Sequence, residues 1–114
     1  MVGYSYAACV DNGGGSWTAS VDLASVQSCV TQAARGDTVN ISAGSATWNS
    51  VLTIDKAITL KGAGSGSTII TSGHDHTSLS SRSPAYYVIY YNPSSIASDT
   101  NETLRITGFT FDMD

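Results

Sequence analysis

The sequence predicts an all-β domain: a short β-solenoid of two to three coils, with one α-helix capping its N-terminal end. Three observations carry this. The 114-residue chain is 12% charged, about half the usual share of roughly 25%, while 18 Ser, 13 Thr and 11 Gly crowd it. Its apolar residues alternate in short runs closed by Gly, Pro or Asx, which marks strands with breakers between them. The pattern Val39-Asn40-Ile41 returns as Ile58-Thr59-Leu60 after 19 residues, the length of one solenoid coil. In such a coil the outward positions need only be small and polar, which accounts for the hydroxyl excess without invoking a site.

The same composition excludes several partners. Five basic residues against nine acidic ones, a net charge of −4, leave no electrostatic footprint for nucleic acid or an anionic membrane. No apolar run reaches the ~18 residues a membrane span needs. With 41% of the chain apolar, disorder is not expected. The length suits a single domain over 1–114, divided into an N-terminal segment with the cap helix (1–36) and the coils (37–114), with an inserted loop near 72–84.

Residues 1–21 read as a Gly-, Ser- and Ala-rich segment, with a turn at Asn12-Gly13-Gly14-Gly15-Ser16. A helix follows over 23–34. Asp22 is its N-cap, and Leu23, Val26, Val30 and Ala33 or Ala34 form a narrow apolar stripe. Ser25, Gln27, Ser28, Thr31 and Gln32 face away from that stripe. Gly36 supplies a left-handed stop, and Arg35 complements the helix dipole. Strands are then expected at 38–41, 51–54, 57–61, 68–71, 86–91, 103–107 and 109–111. Alternation stops after Phe111 with no capping element behind it, so the C-terminal coil is expected to be open and able to self-associate.

The cysteines, Cys9 and Cys29, have no CxxC or metal-ligand spacing. In an exported chain they can form a disulfide between the N-terminal segment and the helix; otherwise they are buried thiols.

The phrases Gly36-Asp37-Thr38-Val39-Asn40-Ile41-Ser42-Ala43-Gly44, Leu52-Thr53-Ile54-Asp55-Lys56-Ala57-Ile58-Thr59-Leu60-Lys61-Gly62-Ala63-Gly64 and Thr68-Ile69-Ile70 resemble the opening of right-handed parallel β-helix proteins of the pectate-lyase-like superfamily. Leu104-Arg105-Ile106-Thr107-Gly108-Phe109-Thr110-Phe111-Asp112 resembles a following coil. The resemblance implies a parallel β-helix fold and a secreted or surface location, at a cell or a virion. It also implies a parent that binds or processes carbohydrate as a lyase or hydrolase, or else a structural or adhesive parent such as a tailspike. The catalytic acids, bases and calcium ligands of those enzymes lie on later coils. None is transferred to this chain, which is expected to be non-catalytic and to need no cofactor.

Candidate sites are few. His74, Asp75 and His76 cluster on a Gly/Ser loop, where they could offer two or three metal ligands or simply be solvated. Tyr86, Tyr87, Tyr90 and Tyr91 form the densest aromatic group; two should face out, as sugar-stacking platforms or as wall packing. Trp17 and Trp48 read as packing residues. Asp37 and Asp55 read as turn residues bonded to local backbone. Asp112 and Asp114 lie on one side of the last strand, where they could begin an acid or calcium site. The expected partner is a polysaccharide or a second copy of the chain.

Overall fold

The structure, a computed structural model, describes residues 8–73, 88–93 and 103–112. The strands are β1 (Cys9–Gly13), β2 (Ser16–Ala19), β3 (Thr38–Ile41), β4 (Gly44–Trp48), β5 (Leu52–Ile54), β6 (Thr59–Lys61), β7 (Thr68–Ser72), β8 (Ile89–Tyr91), β9 (Arg105–Thr107) and β10 (Thr110–Asp112); the helix α1 (Leu23–Gln32) follows β2. They form three small sheets in the orders β1-β2-β3-β6-β9, β10-β7-β4 and β5-β8.

This corrects the expected fold class. The molecule is not a clear all-β solenoid. Parallel and antiparallel pairings share one sheet, the three sheets hold unequal numbers of strands, and a helix is part of the packed core. The antiparallel pair is β1–β2, with Val10 opposite Thr18. Its turn runs through Gly13, Gly14 and Gly15, all at positive φ, a conformation that disfavours any side chain with a Cβ. These strands lie where the sequence reads as a loop, because β1 and β2 carry too few large apolar residues to show a period. The remaining pairings are parallel, and the 19-residue spacing is also corrected. Val39 lies opposite Leu60, 21 positions on, so Ile58 precedes β6 and does not match Val39. β4, closed at its far end by Trp48, was not expected either.

The core is made by the inward sides of the three sheets. Val39, Ile41 and Leu60 come from the first, Trp48 and Ile70 from the second, and Leu52 and Ile54 from the third; all are at most 2% exposed. Side-chain alternation along a strand turns every second residue inward, which is why Asn40 and Thr53 point away from this core.

The helix begins as expected and ends differently. The Asp22 carboxylate accepts the Ser25 N–H at 3.0 Å and the Ser25 hydroxyl at 2.8 Å. Ser25, expected to face water, is buried, and its Oγ also accepts the Ala8 N–H at 2.8 Å. Val26, Cys29, Val30 and Ala33 are buried, whereas Ala34 is exposed. The helix stops at Gln32, and Ala33 is an extended C-cap, so Gly36 does not terminate it and Arg35 is not in its last turn. The basic group at this end is Lys56, whose Nζ donates to the carbonyls of Val30 (3.1 Å), Thr31 (3.2 Å) and Ala33 (2.9 Å). A cation there satisfies orphan carbonyls and opposes the negative end of the dipole.

Cys9 and Cys29 are disulfide-bonded with their Cα atoms 5.4 Å apart, linking β1 to α1. No described helix is long and apolar enough to cross a membrane.

Candidate binding face

The first sheet has an inner and an outer side. Trp17, Val39, Leu60 and Ile106 share one column facing the core. On either side of it run two outer columns: Ser16, Thr38, Thr59 and Arg105, and then Thr18, Asn40, Lys61 and Thr107. Registered parallel pairing therefore gathers hydroxyls, an amide and two cations onto one surface. In the sequence Lys61 and Arg105 are 44 positions apart. In the sheet they sit on neighbouring strands two residues out of step. A strand separation of ~4.8 Å and a rise of ~3.3 Å per residue put their Cα atoms about 8 Å apart.

Thr38, Thr59, Lys61, Arg105 and Thr107 line an open hollow of about 340 Å³. Lys61 and Arg105 are both exposed. Among the described residues neither is in an ion pair, whereas Lys56 is paired with Asp55 at 3.5 Å. The nearby polar groups are fixed. The Asn40 Nδ2 donates to the Trp17 carbonyl at 3.0 Å and to the Ser16 hydroxyl at 3.2 Å. Asp37 accepts from the Trp17 indole at 2.9 Å and from the Ala34 N–H at 2.8 Å. Asp37 thus bonds the local backbone of its turn, as expected, and in addition ties β2 to the end of the helix. Such a surface has positive charge and hydroxyl donors on a rigid frame, and Arg and Lys in that setting select carboxylate, sulfate or phosphate oxygens.

The residues singled out from sequence are scattered. Tyr90 lies beside Thr53 on the outer side of β8, while Tyr91 packs against the core beside Ile54. These two belong to a different sheet from Lys61 and Arg105, so the structure does not join them into one platform. Tyr86, Tyr87, His74, Asp75, His76 and Asp114 lie outside the described residues. Among the described residues no three His, Cys, Asp or Glu side chains gather as a metal site. Trp48 is fully buried, its indole N–H donating to the Val21 carbonyl at 3.0 Å. Asp112 ends β10 as an exposed residue. Lys61 and Arg105 went unnoticed as candidates because only the strand register brings them together.

Compared with family models, curated proteins and solved structures, the chain matches none.

Proposed function

We propose that this chain is a non-catalytic extracellular module that binds an acidic polysaccharide on the outer face of its five-stranded sheet. The observation that carries the reading is the pair Lys61 and Arg105, without ion-pair partners among the described residues, over a hollow walled by Thr38, Thr59 and Thr107. Two cations in a chain of net charge −4 form a local reversal of sign, and that attracts anions. Threonine hydroxyls donate to and accept from sugar hydroxyls. An open face suits an extended polymer better than an enclosed metabolite. The disulfide supports an oxidising compartment, where extracellular polysaccharides are found.

The test is calorimetric titration with polygalacturonate or alginate, and with neutral dextran as control. Binding to the acidic polymers alone is expected, with their chain length unchanged afterwards. Lys61→Ala and Arg105→Ala should each weaken it about ten- to a hundred-fold, the value of ~1.5–3 kcal/mol for a hydrogen bond to a charged group. Equal binding to dextran, or full binding by the double variant, would overturn the reading.

A further inference from the structure

The two poles of the sheet stack are finished differently. β4 and β5, the first strands of their sheets, lie under α1. The free edge of β5 is even hydrogen-bonded by a side chain: the Gln27 amide donates to the Thr53 carbonyl at 3.0 Å and accepts the Thr53 N–H at 3.0 Å. Gln27 takes the place of a neighbouring strand there. β1 closes the first sheet at the same pole, with a register break between Asp11 and Gly13 and an exposed acid, the usual devices that keep an edge from pairing.

At the opposite pole β9 has no such finish among the described residues. β8, β9 and β10 are the last strands of their sheets. The Arg105 N–H donates to Ile58 at 3.0 Å, and the Thr107 carbonyl accepts from Gly62 at 2.8 Å, so residues 105 and 107 spend their backbone groups on β6. Strand alternation then turns the N–H and C=O of Ile106 to the open side. On β8, Leu52 donates to Val88 and Asn92 donates to Ile54, so Ile89 is likewise turned outward. The apolar side chains here are only partly covered: Ile106 is 38% exposed, and Leu104, Phe109, Phe111, Ile89 and Tyr91 are half-buried.

We infer that this pole is an interface with a second copy of the chain, joined across a two-fold axis by antiparallel pairing of β9 with β9. The free groups of Ile106 fit that symmetry. A residue on the axis faces its own copy, and the two exchange both N–H···O bonds as one hydrogen-bonded pair. In this register each Arg105 lies opposite Thr107 of the other copy, so the like charges are not face to face. Head-to-tail growth of the first sheet is disfavoured because its edge at the other pole is β1, which is broken in register and carries an exposed acid. The two outer faces of the first sheet become contiguous in the dimer, but the inference stands on edge geometry alone and does not need them to bind anything.

Sedimentation velocity over a concentration series is the test. A monomer–dimer shift that stops at the dimer is expected. Ile106→Pro should leave a monomer that melts as the parent does at dilutions where the parent is monomeric, since proline removes an N–H that the fold itself does not use. Val10→Asp on β1 should leave dimerisation intact. Ile106→Cys should be joined into a dimer by a short bis-maleimide cross-linker, as the two sulfurs lie side by side across the axis. A monomer at every concentration, a ladder of species beyond the dimer, or a dimer surviving Ile106→Pro would each overturn the inference.

Discussion

The pole beneath α1 and the pole formed by β8, β9 and β10 are built from the same kinds of residue, Val, Ile, Leu and aromatics, yet one is sealed and the other is not. At the first, Val26, Cys29, Val30, Val39, Trp48 and Leu52 are at most 1% exposed. At the second, Ile106, Phe109 and Phe111 retain contact with water. The difference is not hydrophobicity. It lies in what satisfies the strand edges: the Gln27 amide binds both backbone groups of Thr53 at the first pole, and no side chain does the same for Ile106 at the second among the described residues. A sheet edge is closed by hydrogen-bonding groups placed on it, and apolar side chains alone do not close it.

Breaking the sealed pole should give the largest effect. Val30→Asp buries a carboxylate against the core and is expected to cost about 4 kcal/mol or more, enough to unfold a small domain. Chemical denaturation will measure it; a midpoint within error of the parent would show that α1 is not integral to the core. Next comes the link between β1 and α1. Replacing Cys9 and Cys29 by Ser should cost about 3 kcal/mol, as expected for freeing a loop of 20 residues, and should lower the melting temperature. An unchanged melting curve would mean that α1 holds its place without the bridge. Lys56→Met removes the cation from three carbonyls while keeping its apolar stem. It should cost about 1.5–3 kcal/mol, towards the lower figure because Lys56 is still 21% exposed. By contrast, Ile106→Pro at the open pole should hardly change the stability of the monomer, measured at high dilution, and should act through association.

The comparison also separates what could be read in advance from what could not. Asp22 as a helix start was legible, because an N-cap is a local contest between one carboxylate and the N–H groups a turn away. The strand Thr38–Ile41 was legible too, since alternation and a following breaker are local. The helix end was not: the group that satisfies its carbonyls comes from Lys56, more than twenty residues later. Nor was the burial of Ser25, which depends on Asp22 and on the Ala8 backbone meeting it. The β1–β2 pair was hidden because its strands are polar and its glycine turn reads as a flexible loop. Lys61 and Arg105 look like unrelated surface charges until register sets them on adjacent strands.

Sequence alone thus determined the local elements: where the helix starts, where most of the later strands lie, and that outward positions would be hydroxyl-rich. The tertiary structure decided the fold class, through an antiparallel pair and three unequal sheets where uniform coils were expected. It also decided the pairing of Val39 with Leu60 and the meeting of Lys61 with Arg105. Local propensity acts over a few residues, whereas register, edge closure and charge juxtaposition depend on segments tens of residues apart, and those are fixed only when the backbone hydrogen bonds between them form.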